Sequence, residues 1–303
     1  MTLSVIGNLA ILVMLLLFLY RLQQTHVSFT RRVFSGLGLG VLFGWALQLL
    51  YGVGSEVLVQ TGDYLDLVGS GYVKLLQMII IPLIMVSIIG AILKLSGGTA
   101  LGKISALTIG VLIFTTMIAA GAGILMSNLF GLSAEGLTAG AAETARGAAL
   151  QTSLGSVESM SLPKMVLEFI PANPFLDMTG ARKTSTIAVV IFSIFIGLSA
   201  TGIARKQPEI FASFERFMQV AHAIVMRMVT LVLRLTPYGV LALMAKVVSG
   251  SNYADIINLL NFVLASYGAI AIMFLVHLLL VSLVGINPLR FLKKIMPVLA
   301  FAF

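Results

Sequence analysis

The chain contains no cysteine, which excludes a disulfide framework and a thiolate metal site. Charge is scarce as well: 10% of the 303 residues are charged, whereas 59% are hydrophobic. A soluble globular domain carries about a quarter charged residues, so a water-soluble enzyme core is excluded. Histidine is limited to His26, His222 and His277, none with a neighbouring carboxylate at ligand spacing. A proton relay through His277 is conceivable within a membrane. A hydrogen-bonded structural histidine is the simpler reading.

Enzyme signatures are also missing, with neither a His-Glu-x-x-His helix nor a Gly-x-Ser-x-Gly elbow present. The run Gly97-Gly-Thr-Ala-Leu-Gly-Lys103 has the outline of a phosphate loop. However, Ile104 stands where a hydroxyl must meet magnesium, and an apolar stretch precedes the run where a strand is required. It reads as a short cytoplasmic turn, and the chain is expected not to be an enzyme.

What the chain does have is apolar length. A bilayer core takes ~20 mostly apolar residues per helix, and about seven stretches qualify. They are Leu3–Tyr20, Val33–Tyr51, Leu65–Leu93, Ile104–Phe130, Thr186–Ile203, Phe217–Val248 and Leu259–Val284. The first is too long for a removable signal peptide and lacks a small-residue cleavage site, so it is expected to be retained.

Between the spans the charges are sorted. Arg21, Arg31 and Arg32 follow the first span, whereas Gly52–Tyr64 carries Glu56 and Asp63 without a cation. Lys94 and Lys103 come next, then the long Gly131–Pro163 stretch with Glu135, Glu143 and Glu158, then Arg205 and Lys206, and finally Arg290, Lys293 and Lys294. The positive-inside rule places every basic loop in the cytoplasm, with the N-terminus outside and residue 303 inside a cell membrane. Because these cations flank spans, the net charge of +8 points to anionic lipid and not to nucleic acid.

Several features inside the spans carry structural meaning. Gly36, Gly40 and Gly44 lie on one helix face, which fits either close approach of another helix or the general glycine enrichment of membrane helices. Lys74 and Gln77 sit one turn apart ahead of Pro82. Such a pair faces protein or water, or the lysine snorkels to the interface, and the proline predicts a kink. Ser133–Lys183 is polar and holds Ile170-Pro-Ala-Asn-Pro-Phe175, whose prolines predict a broken, partly re-entrant segment. Arg227 and Arg234 share a face, open to a subunit contact or to lipid headgroups.

Four sequence words occur in one order: Gly71-Tyr-Val-Lys-Leu-Leu-Gln-Met78 leading to Pro82, Leu101-Gly-Lys103, Asn173-Pro-Phe175, and Pro237-Tyr-Gly-Val-Leu-Ala-Leu-Met244. With them the chain resembles the dicarboxylate/amino acid:cation symporter family, which has the glutamate-transporter-like fold. It is most similar to the bacterial L-cystine uptake permeases, a branch marked by the extra first span. The resemblance implies an all-α polytopic elevator fold, assembled as a homotrimer, for cation-coupled import of L-cystine or a related amino acid. The coupling ion is expected to be sodium or a proton, with no other cofactor. A dicarboxylate or acidic amino acid symporter, or a scaffold subunit that does not transport, are the alternatives.

By the same resemblance, 1–32 forms a peripheral helix and cytoplasmic loop. Residues 33–100 and 131–258 build the scaffold and external loop, and 101–130 and 259–303 belong to a moving transport domain. Thr115 and Thr116 match two adjacent hydroxyl residues that help hold sodium in the family, and oxygen ligands suit a hard cation. Leu112 replaces an aromatic residue found there in some relatives. On the residues alone, Thr115 bonds its own helix backbone. Substrate contacts are expected beyond Phe303, in a first re-entrant hairpin and later spans. The 303 residues are accordingly expected to be part of a longer protein or a truncated product.

Overall fold

A computed structural model describes residues 2–95, 101–132, 147–148, 150–151, 161–251 and 253–302, with only the backbone described for 95, 101–106, 162, 253–259 and 297–302. The Gly97–Ala100 turn, the Lys103 side chain, the acidic residues Glu135, Glu143 and Glu158, and the side chains of Pro297–Phe303 lie outside the described residues.

The described residues are helical, without strands. In chain order the helices are α1 (Leu3–Gln24), α2 (Phe29–Tyr51), α3 (Glu56–Leu95), α4 (Leu101–Leu129), α5 (Leu162–Glu168), α6 (Pro174–Met178), α7 (Ser185–Ala204), α8 (Pro208–Leu233), α9 (Thr236–Gly250), α10 (Tyr253–Leu283) and α11 (Pro288–Ala302). Seven of them, α1 to α4, α7, α8 and α10, are long and apolar enough to cross a bilayer. The protein is therefore a multi-pass membrane protein. Two differences from the sequence reading stand out. α3 starts at Glu56, nine residues ahead of the expected span, because nothing from Glu56 to Tyr64 breaks a helix except the tolerable Gly62. The expected Phe217–Val248 span divides into α8 and α9, since Pro237 cannot donate into a continuing helix but fits the first turn of a new one.

The helices fall into two compact units, one holding α1–α3 and α5–α9, the other α4, α10 and α11. The first unit is built around α9. A Cβ added at Gly40 would lie 2.5 Å from the Leu241 carbonyl oxygen, one at Gly44 would lie 2.5 Å from that of Ala245, and one at Gly36 would collide with that of Pro237. The four-residue glycine spacing of α2 thus matches a four-residue ladder on α9. The two helices run in the same direction at backbone contact, as small-residue faces allow. On the other side of α9, α3 runs antiparallel: Asp66 meets Lys246, Gly69 meets Leu243 and Tyr72 meets Thr236.

Two apolar clusters fill this unit. Leu12 and Leu19 of α1, Phe43 and Leu47 of α2, Leu58 and Leu65 of α3 and Leu241 of α9 form one. Ile79, Val86, Ile89 and Leu93 of α3 form the other with Ala200 of α7 and Met218, Val225 and Val232 of α8. α3 takes part in both and continues as one helix through Pro82. The broken segment is present as α5 and α6, and Asn173 caps α6 by accepting from the Phe175 and Leu176 amides at 3.0 and 3.3 Å. Proline at the first helical position completes the Asn-Pro start. The second unit uses the same device: Asn287 accepts from the Leu289 and Arg290 amides at the start of α11. There α4 packs on α10, with Gly268 against Met126.

Candidate functional site

The hydroxyl pair on α4 is the one position where the sequence reading placed an ion. Thr115 is 8% exposed and its Oγ1 lies 2.9 Å from the Val111 carbonyl and 3.1 Å from that of Leu112. Its proton is committed to its own helix, which leaves the oxygen's lone pairs free to face a cation. Thr116 is exposed, because successive helical residues point about 100° apart. Leu112, one turn before Thr116, is 59% exposed and adds no oxygen. The two hydroxyls are chemically suited to a hard cation but are two oxygens of the roughly six or more that such an ion gathers. Among the described residues no group of His, Cys, Asp and Glu forms a metal site.

Four polar nodes in the helix bundle were not singled out as sites by sequence reasoning. The strongest closes the α6–α7 turn. Asp177 is 1% exposed and receives the Arg182 fork, Nε and Nη2 each donating at 2.8 Å, and the Ser185 hydroxyl at 3.2 Å. Arg182, 29% exposed, also donates to the Glu168 carbonyl at 3.2 Å, so its guanidinium ties α5 to α6 while Ser185 brings in α7. A bidentate charged pair of this kind gives geometric specificity as well as energy. Its members are five residues apart in the polar run after Pro174, a spacing that could have flagged it.

The second node docks α1. Asn8 donates through Nδ2 to Thr61 Oγ1 at 3.2 Å and accepts from the Tyr51 hydroxyl at 3.2 Å, joining α1 to α3 and α2. Thr61 passes its own proton to the Val57 carbonyl at 2.7 Å, so every polar atom of the buried amide–hydroxyl contact has a partner. At the far end of α1, Gln23 accepts from Arg32 Nη1 at 3.0 Å and from the Tyr238 hydroxyl at 3.3 Å. The third is the Asp66–Lys246 ion pair, to which Ser70 adds a donor at 3.0 Å. The fourth is Tyr72, 2.9 Å from Thr236, whose hydroxyl proton is spent on the Leu233 carbonyl; Tyr72 is thus the donor between them.

The residues that drew interest in the spans are placed as follows. Lys74 and Gln77 are exposed on α3, and Gln77 edges an open groove of about 1130 Å³ with Pro82, Met85, Met178, Gly180 and Phe217. That lining is mostly apolar, with Gln77, Thr179 and Thr186 as its polar side chains, and carries no charged side chain for a zwitterion. His277 places Nδ1 2.7 Å from the Met273 carbonyl on its own helix. His222 lies beside Lys94 and Glu215 in a smaller cleft of about 370 Å³. Among the described residues the chemistry is that of polar joints and helix-backbone hydroxyls, and no nucleophile and base are brought together.

Residues 29–303 match the model of the sodium:dicarboxylate symporter family. The chain belongs to that family, a family of membrane transporters and not of enzymes. α1 lies ahead of the matched region, yet it is shared with closer relatives. The chain is 54% identical over 302 residues to the L-cystine uptake protein TcyP of Bacillus cereus, covering 100% of this chain and 65% of that protein. It is 50% identical to the L-cystine uptake proteins TcyP of Bacillus licheniformis and Bacillus subtilis, again over 100% of this chain and 66% and 65% of theirs. The chain thus spans just under two thirds of the length of these relatives.

Proposed function

We propose that the protein works as a secondary active transporter that imports L-cystine or a closely related amino acid, coupled to sodium or protons. The observation that carries this reading is the 50–54% identity, sustained over the whole chain including α1, to proteins named for L-cystine uptake. The family label alone would fit a dicarboxylate carrier equally.

In this reading the unit of α1–α3 and α5–α9 corresponds to a static scaffold, and α4 with α10 and α11 to the moving part. The compact grouping of α4 with α10 and α11, distant from it in sequence, supports that division. Thr115 and Thr116 would contribute hydroxyl oxygens to a coupling cation, which supplies the electrochemical driving force. The substrate pocket would require elements beyond the 303 residues. The charge sorting supports an external N-terminus, and a homotrimer follows from the family resemblance.

The test is uptake of radiolabelled L-cystine in cells lacking endogenous cystine import, with the protein expressed from its complete reading frame. Saturable uptake that falls when sodium is replaced by choline, or when the proton gradient is collapsed, is the expected result. Inhibition by excess aspartate or succinate with no cystine uptake would assign the dicarboxylate reading in its place.

A further inference from the structure

α3 and α8 enclose a cleft whose two walls carry opposite charge. It holds about 370 Å³, with Ser87, Gly90 and Lys94 on the α3 side and Glu215, Gln219 and His222 on the α8 side. Tyr72 of α3 meets Thr236 just past the far end of α8. Counting back from that contact along two antiparallel helices brings Lys94 level with Glu215, and Ser87 level with His222. Lys94 and Glu215 therefore mark the mouth, and Ser87 and His222 lie about 10 Å deeper.

The two charges at the mouth are not spent on each other. Among the described residues the ion pairs are Arg182–Asp177 and Lys246–Asp66. Lys94 and Glu215 line one cleft without bonding, and Glu215 is half-buried. A carboxylate withdrawn from water costs free energy unless a cation or a hydrogen-bond donor meets it. An ammonium group entering the cleft is such a donor, and Lys94 on the facing wall matches an anionic group carried by the same molecule. A simple cation would be repelled by Lys94 and a simple anion by Glu215, so the pair selects a zwitterion. Gly90 and Ala91 keep the α3 wall low between them, and the volume falls in the range of small-ligand sites.

We propose that this cleft binds a free α-amino acid, with its ammonium on Glu215, its carboxylate on Lys94 and its side chain toward Ser87, Gln219 and His222. A phosphatidylethanolamine headgroup shares the chemistry of an ammonium beside an anion. Its acyl chains, however, would have to pass the inner wall where those three polar side chains lie, which favours the free amino acid. The charge sorting puts the mouth on the cytoplasmic side, where an importer releases its substrate; that placement rests on the function proposed above. The cleft lies within the first unit and is distinct from the transport pocket, which would require elements beyond the 303 residues.

The test is equilibrium dialysis of radiolabelled L-cystine against the protein purified from its complete reading frame. Glu215→Gln, Lys94→Gln and a chain carrying both Lys94→Glu and Glu215→Lys are compared with the wild type. The wild type is expected to show a binding component that each single variant weakens about ten-fold or more, the loss of one charged hydrogen bond. The double exchange restores both charges to the mouth and is expected to recover that component. Cystamine, which lacks the carboxylates, and dithiodipropionate, which lacks the ammonium groups, should compete for it poorly. Thermal melting checks that the variants are folded, and uptake of L-cystine, measured in parallel, should keep its half-saturation in all of them. A charge-dependent component in a protein that does not take up cystine would support the cleft and sink the transport reading alone. Absence of such a component, or its persistence in both single variants, would overturn the proposal. So would phosphatidylethanolamine retained through Lys94 and Glu215 in native mass spectrometry without a cystine component, which would make the cleft a lipid site.

Discussion

The two units hold themselves together by different means. In the first, 17–28% of the most apolar stretch of each crossing helix is buried, and polar joints tie α1, α2, α3 and α9 to one another. In the second, the corresponding shares are 11% for α4 and 6% for α10. The first unit satisfies its helices internally and fixes their register with backbone contacts. The second presents nearly all of its side chains outward, toward lipid or other polypeptide. Substitutions should therefore be costly in the first unit and mild in the second, except where they touch a ligand.

The sharpest contrast is between glycines. Gly40→Val pushes a side chain against the backbone of Leu241, and neither helix can yield without breaking the ladder. It is expected to destabilise by about 3 kcal/mol or more. Gly121→Ala in α4, where a Cβ meets nothing within 4 Å, should be neutral or slightly stabilising, by up to about 1 kcal/mol, because alanine favours the helix. Thermal unfolding followed by fluorescence-detected size exclusion distinguishes them. Equal shifts would erase the difference between the units.

Next in size is the α6–α7 clasp. Asp177→Ala leaves Arg182 without its fork partner and Ser185 without an acceptor. Because Arg182 retains some solvent, the cost is set at about 2–3 kcal/mol, below that of a fully buried pair. Limited proteolysis between α5 and α7 should accelerate in parallel. An unchanged cleavage rate would show that the clasp does not hold this turn.

Asn8→Leu tests whether α1 is bound by its polar joint or by apolar packing alone. The loss of one amide leaves Tyr51 and Thr61 with fewer partners and is expected to cost about 1 kcal/mol, read as weaker protection of α1 in hydrogen exchange. Thr115→Val, finally, should change stability by less than about 0.5 kcal/mol, since the hydroxyl serves only its own helix turn. If Thr115 helps hold the coupling cation, the same change raises the sodium concentration for half-maximal uptake while stability stays put. A stability loss above 1 kcal/mol with unaltered sodium dependence would reverse that assignment.

Much of this was legible before any coordinates. Apolar length marked the seven crossing helices. The Ile170–Phe175 prolines announced the break that became α5 and α6. Arg227 and Arg234 were visible as one face, and both are exposed on the described chain. Asn8, Thr61, Asp66 and Lys246 escaped notice because none sits in a local pattern that names its partner. Their partners lie 53 and 180 positions away. The Gly36–Gly44 face allowed two explanations, and nothing local named α9 as the helix that meets it.

Residue chemistry alone therefore determined that this protein crosses a membrane, about how many times, which loops are basic, and to which family its words belong. These properties follow from transfer energies and charge summed over short segments, and they need no knowledge of neighbours. The tertiary structure decided which helices touch at the backbone and which polar groups pair. Those depend on contacts between distant segments, where a side chain's meaning is set by the geometry of what lies opposite.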